Sequence, residues 1–311
     1  MTRAVVFAYH NVGVRCLSVL IDAGVDIALL VTHQDAPGDP IWFDSVAATA
    51  ARYGIPSITP DDPNQPEVVA QIAALAPDFV FSFYYKCMLK APLLAIPKRG
   101  ALNMHGSLLP YYRGRVPVNW AIIHGETRTG ATLHYMTEKP DAGHIVDQTA
   151  VPILADDTAQ DVFHKVTCAA ELTLYRALPL LIAGTAAAQP QDLSIGGYFG
   201  GRRAEHGKID WSLSADTIHN LIRAVAPPYP GAYTSLLGKP LRILRSRVIN
   251  PIINQIPNND TKSVFFCDNH GCYVRCNGGG TLQLLLTEWD GQTISPTELA
   301  RATGNKELFL T

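Results

Sequence analysis

The sequence predicts an α/β fold with a mostly parallel sheet and helices on both faces, followed by a smaller β-rich, barrel-like C-terminal domain. Three observations predict it. Residues 3–84 alternate short β-prone apolar runs with amphipathic stretches, the rhythm of β-α-β units. The apolar runs are continuous rather than alternating, which suits strands buried on both faces. Beyond residue 205 the chain turns to short β runs broken by turn residues.

Each element has a local reason. RAVVFAY (3–9) is a first strand. Helical spacing at Val12, Cys16, Val19, Leu20 and Ala23 predicts a helix over 12–23 that stops at Gly24. VDIALLVT (25–32) is a second strand, followed by a Pro/Gly loop, a helix near 42–53 and a short strand at 55–58. A helix over 66–75 leads to the strand DFVFSFY (78–84), and ALNMH (101–105) is the next. Pro117 opens a helix over 117–124. Strands at 129–137 and 144–153 flank the turn EKPDAG (138–143), and a long helix runs from Asp157 to about 183. Residues 1–188 thus form the first domain. Residues 189–204, rich in Gln, Pro and Gly and without period, read as a linker. Residues 205–311 form the β-rich domain, with a helix at 215–225 capped by Ser214 and a polar loop at 249–262.

The totals limit function. The chain has 311 residues, 47% hydrophobic and 17% charged, with a net charge of -2. A protein that holds a polyanion through many phosphates carries a basic excess; this one does not, so no nucleic-acid partner is expected. No apolar run of membrane-spanning length is read, so no membrane partner is expected either. MTRAVVFAYHNVG is a first buried strand rather than a leader, which places the protein in the cytoplasm. Cys267, Cys272 and Cys276 lack the paired spacing of structural zinc and read as strand residues near a hairpin, so no metal is expected. The first strand is followed by Gly13 alone rather than a G-x-G-x-x-G run, and neither a phosphate-binding G-x-x-x-x-G-K loop nor a G-x-S-x-G elbow occurs.

What remains is LNMHGSLLPYYRGRVPVNW (102–120). Asn103 and His105 are two apart, so on a strand they share a face. They sit at the carboxyl end of a predicted strand, where open α/β sheets bind ligands. An imidazole exchanges a proton near neutral pH, and an amide donates hydrogen bonds without titrating. Together they suit acyl transfer to an amine. His105 takes the proton of the attacking nitrogen, and Asn103 donates to the oxygen that becomes negative. Asp141, on the nearby turn, would orient the ring and stabilise its protonated form. On spacing alone, an Asn-x-His pair is more often structural, and nothing in the spacing places Asp141 against His105. His10, just past the first strand, is a further candidate contact.

The run Asn103-x-His105-x-Ser107-Leu108-Leu109-Pro110-x-x-Arg113-Gly114, followed by Asp141-x-Gly143, resembles the folate-dependent formyltransferases. VVFAYHNVG, FSFYYK, HGETRTGATLH and RAVAPPYPGAY extend the likeness over essentially the whole chain. It is nearest the polymyxin-resistance and lipid A modification branch, whose transferase module formylates UDP-4-amino-4-deoxy-L-arabinose. The resemblance implies a Rossmann-like first domain and roles for Asn103 as oxyanion donor, His105 as proton carrier and Asp141 as its partner. It implies that 10-formyltetrahydrofolate is the co-substrate, lying along Cys87, Met88 and Leu89, near Arg115, and against Thr137, Glu138, Lys139, Pro140 and Asp141. Arg113 would anchor the turn. The acceptor would be a UDP-linked amino sugar, with Arg202 and Arg203 as candidates for its diphosphate. A tRNA acceptor would want a basic second domain, but residues 205–311 hold ten Lys and Arg against nine Asp and Glu. That branch is best known fused to a decarboxylating dehydrogenase; ending at Thr311, this sequence reads as a stand-alone enzyme or an excised module. The oligomeric state is not legible.

Overall fold

The computed structural model describes residues 1–35, 41–249, 262–304 and 307–310. The loop expected at 249–262 lies, apart from its two end residues, outside them. The chain divides into two compact units. One comprises Met1–Pro117, Arg128–Pro152 and Phe163–Gly200; the other comprises Val118–Thr127, Ile153–Val162 and Gly201–Thr311.

In the first unit the elements run β1 (Arg3–Ala8), α1 (His10–Asp22), β2 (Asp26–Val31), α2 (Val46–Arg52), β3 (Ser57–Ile58), α3 (Pro66–Ala74), β4 (Phe79–Phe83), α4 (Ala91–Leu94), β5 (Ala101–His105) and β6 (Arg113–Gly114). Next comes α5 (Pro117–Ile123), which after its first residue belongs to the second unit; the first unit resumes with β7 (Arg128–Tyr135), β8 (Ile145–Pro152), α6 (Ala159–Ala183) from Phe163 onward, and β9 (Tyr198–Phe199). The main sheet has the order β3-β2-β1-β4-β5-β7-β8. β1 to β5 are parallel, whereas β7 pairs antiparallel with both β5 and β8. Every residue of β4 is buried, as are all but the first of β1, so the expectation of two-faced burial holds. Phe79, Phe81 and Phe83 line one face of β4 with ring centroids 5.5 and 5.6 Å apart. α2 starts later than the spacing predicts, because Ser45 accepts from the Ala48 amide and fixes the N-terminus there.

By length and composition, α6 is apolar enough to cross a membrane, which the sequence reading did not anticipate; half of its most apolar 18-residue window is nevertheless buried inside the protein. Residues 189–200 are not free chain. Gln189 exchanges two backbone hydrogen bonds with Ile145, and β9 pairs in parallel with β6.

The second unit contributes α7 (Ala215–Ala224), β10 (Ala232–Leu236), β11 (Lys239–Ile249), β12 (Ser263–Asp268), β13 (Gly271–Arg275), β14 (Thr281–Trp289), β15 (Gln292–Ile294), α8 (Pro296–Ala302) and β16 (Leu308–Leu310). Its antiparallel, barrel-like sheet has the order β10-β11-β14-β13-β12-β16, with β15 on β14. α7, capped by the Ser214 hydroxyl, contributes Ile218 and Ile222 to a core shared with Phe265, Val274, Leu282 and Leu284. Cys267 and Cys272 face each other across the β12–β13 hairpin and form a disulfide.

Candidate active site

Strand order reverses between β1 and β4, so a crevice opens outside their carboxyl ends. The chain is held in costly conformations around it. Eight described non-glycine residues have positive φ, and five of them border this region: His10, Tyr84, Tyr112, Val116 and Asp141. A β-branched residue such as Val116 adopts φ +48° only under constraint. Strain of this kind costs about 1–3 kcal/mol per residue and gathers where function requires it.

Asn103 and His105 lie on β5 beside the crevice, and the structure brings Asp141 to them. Asp141 Oδ1 is 3.6 Å from His105 Nδ1 and equally 3.6 Å from His134 Nε2. Its Oδ2 accepts from the Gly114 amide at 2.8 Å. Asn103 Nδ2 is 3.1 Å from His134 Nε2, and His134 Nδ1 is 2.9 Å from the Tyr135 carbonyl oxygen. A carbonyl only accepts, so Nδ1 of His134 carries the hydrogen; Nε2 then accepts from the Asn103 amide. His105 Nε2 lies 2.8 Å from the Tyr112 carbonyl oxygen. Both nitrogens of His105 therefore face oxygen acceptors. Burial alone would raise the Asp141 carboxyl, but the charge of His105, followed by His134 and the Gly114 amide, outweighs it and holds the group well below the usual carboxylate range.

Two turns deliver these groups. The first, residues 106–115, contains a cis Leu109–Pro110 peptide. Thr132 donates to the Ser107 carbonyl and accepts from the Leu109 amide, while Ser107 donates to the Tyr111 carbonyl. Arg113, 7% exposed, donates to the carbonyl oxygens of Leu193 and Ile195, the anchoring expected of it. The second turn carries Asp141. Gln191 donates to the carbonyl oxygens of Asp141 and Gly143 at 3.0 and 2.6 Å.

The remaining predicted residues sit as follows. Leu89 is buried in the core with Val68, Ile72 and Leu93, so its side chain is not available as a wall of the crevice. Met88 is 53% exposed and Cys87 half-buried, and Asn64 braces the stretch through the Met88 carbonyl and the Lys90 amide. Arg115 is exposed, and its amide donates to the Phe199 carbonyl. Thr137, Glu138 and Lys139 are exposed and Pro140 is half-buried. Arg202 lies over the Trp120 ring at 4.8 Å and donates to the His206 carbonyl, and Arg203 pairs with Glu205 at 3.8 Å on the surface. His10 stacks on Phe43 at 4.1 Å, and its Nδ1 is buried without a partner. Burial, reinforced by Lys86 and His164, pushes its pKa down to about 4. His134, which in the sequence has no ligand spacing and reads as a strand residue, joins the group. It lies directly opposite Asn103 in the antiparallel β5–β7 ladder, a relation that only the register reveals.

A family model described as "Formyl transferase" matches residues 11–178, and one described as "Formyl transferase, C-terminal domain" matches residues 202–303. The chain belongs to the formyl transferase family. Solved structures resemble this formyl transferase over most of their length. An N-formyltransferase from Helicobacter canadensis, in complex with folinic acid and dTDP-3-aminofucose, has a TM-score of 0.70 at 21% identity, covering 94% of this chain and 100% of its own. A sugar 3-N-formyl transferase solved with dTDP and 5-N-formyl-THF has 0.70 at 20%, covering 94% and 98%. A 4-N-formyltransferase from Francisella tularensis has 0.61 at 20%, covering 75% and 91%. At such identities the likeness concerns the fold.

Proposed function

We propose that the chain transfers the formyl group of 10-formyltetrahydrofolate to the 4-amine of UDP-4-amino-4-deoxy-L-arabinose in the cytoplasm, as a step of lipid A modification and polymyxin resistance. Residues 1–188 are the catalytic domain, 189–204 the connection and 205–311 the second domain. The observation that carries the proposal is the convergence of Asn103, His105 and Asp141, with 3.6 Å between the carboxylate and the imidazole.

The free amine attacks the formyl carbon. The Asn103 amide, held on its far side by His134, donates to the oxygen that becomes negative. In its neutral form His105 leaves the Tyr112 carbonyl and takes the proton at Nε2, the Asp141 carboxylate stabilises the imidazolium, and the proton passes to the folate nitrogen as the formyl C–N bond breaks and tetrahydrofolate departs. The donor supplies an activated one-carbon unit; the chain supplies its cradle. The backbone of Cys87, Met88 and Leu89 hydrogen-bonds the pterin edge, Met88 covers it, and Arg115 and Thr137–Asp141 close around it. Solved relatives carrying folinic acid or 5-N-formyl-THF and dTDP or a dTDP-amino sugar support a folate donor and a nucleotide-linked acceptor. The balanced charge of residues 205–311 supports a sugar nucleotide over tRNA.

The test is turnover of purified protein with the folate donor and either UDP-4-amino-4-deoxy-L-arabinose, dTDP-linked amino sugars or charged initiator tRNA. Formylation of the UDP sugar with the highest kcat/KM is the expected result. Preference for tRNA, or for a dTDP sugar, overturns the acceptor assignment.

A further inference from the structure

β11 carries Arg242, Arg245 and Arg247 in the run LRILRSRVI. Arg242 is paired with Glu288 at 3.1 Å. Arg245 is exposed and has no ion-pair partner among the described residues. The β11–β14 ladder is irregular between Ile243 and Ser246. Leu241 and Ile243 are buried before that point and Ser246 after it. A regular strand would turn Arg245 and Arg247 toward the core with Ile243. The irregularity exchanges them for Ser246, so two guanidiniums are displayed on the outer side, the re-aiming that bulges accomplish.

Behind them lies a small open cleft of about 60 Å³, lined among others by Asp156, Thr158, His219, Arg223, Arg245 and Arg247. Its floor is fixed. His219 Nε2 meets the Ala155 carbonyl oxygen at 3.0 Å and therefore carries the hydrogen, while the Ser246 hydroxyl donates to Nδ1 at 3.0 Å. Arg223 is 7% exposed, and its hydrogen bonds among the described residues go to neutral oxygens: Asn220 through Nε, and the Leu154 and Asp157 carbonyls through Nη1. Asp156, the one acid on the wall, is shared by Arg247 at 3.5 Å and His219 at 4.0 Å. Three guanidiniums thus share Asp156 on the wall, with Asp157 acting on Arg223 from beside it. A buried cation with neutral partners is costly, and an anion offsets that cost. Planar guanidinium forks match a tetrahedral oxyanion by paired hydrogen bonds.

The geometry points to a phosphoryl-binding site in this cavity, with Arg245 and Arg247 as the contacting residues and Arg223 as the buried charge behind them. All of its residues belong to the second unit, whereas Asn103, His105 and Asp141 belong to the first. The site is therefore an addition to the proposed transfer chemistry and does not depend on it. The phosphoryl group comes from free phosphate or from a nucleoside diphosphate.

Calorimetric titration of the full chain with inorganic phosphate, and separately with UDP, tests it. The comparison variants are Arg245→Ala/Arg247→Ala and Arg245→Lys/Arg247→Lys, both with exposed substitutions that leave the core intact. Phosphate binding weakened at least about tenfold by the alanine pair and partly kept by the lysine pair supports the site with free phosphate as ligand. Loss of one equivalent of bound UDP in the alanine pair, with no phosphate binding, supports it with the nucleotide as ligand. Formyl transfer is unchanged in both variants under either result. Binding of both ligands that is identical in native and alanine-pair protein overturns the proposal, as does no binding of either.

Discussion

Asp141 accepts from the Gly114 amide and faces the His105 and His134 rings, and its acid-base behaviour follows. Its folded-state pKa is depressed, so the unfolded chain takes the proton first. The carboxylate's contribution to stability is complete above about pH 4 and is lost as pH falls through the lower folded-state value. Thermal unfolding of native protein and Asp141→Asn should differ most near neutrality, and the gap should close on acidification; a constant gap down to acid pH contradicts the assigned contacts. Asn103→Ala should lower kcat about 10²–10³-fold, as loss of an oxyanion donor does, with little change in folding. Asn103 and His105 were legible because two-residue spacing on a strand puts them on one face. Asp141 was legible only through the longer motif, since its approach depends on how a turn folds back. His134 was not legible, because it acts through cross-strand register and has no spacing of its own.

At the scale of elements, the proposed site depends on two turns and on what braces them. Gly143 has no room for a side chain: a Cβ there would collide with the Tyr135 carbonyl oxygen. Gly143→Ala should therefore displace the Asp141 turn, lowering both kcat and melting temperature, and wild-type values for both would refute the packing described. Gln191 holds the same turn by two hydrogen bonds. Gln191→Ala should cost about 1–3 kcal/mol and lower kcat more than it raises KM. The strands and long helices were readable from apolar runs and helical period. The contribution of residues 189–200 was not: β9 is two residues long, and the other contacts run through one Gln side chain and backbone carbonyls, none of which leaves a period in the sequence.

For the molecule as a whole, the charge balance bears on the acceptor. A transferase that grips tRNA through many phosphates loses affinity steeply with salt, whereas one that holds a single diphosphate loses little. KM for the acceptor should therefore change only modestly between low and moderate ionic strength, and a steep rise would point to a polyanionic acceptor. The two-part architecture was readable from the shift to β-rich composition after residue 205. The interleaving of 118–127 and 153–162 with the second unit was not, because those segments are a short helix, a loop and the first turn of α6, whose partners lie far along the chain. The most direct measurement is steady-state formyl transfer from 10-formyltetrahydrofolate to the nucleotide-linked amino sugar by native protein and by His105→Ala, with folding checked by circular dichroism. The expected result is a fall in kcat of about 10²–10⁴-fold with native structure retained; unchanged turnover in a folded His105→Ala would contradict the assignment of the site.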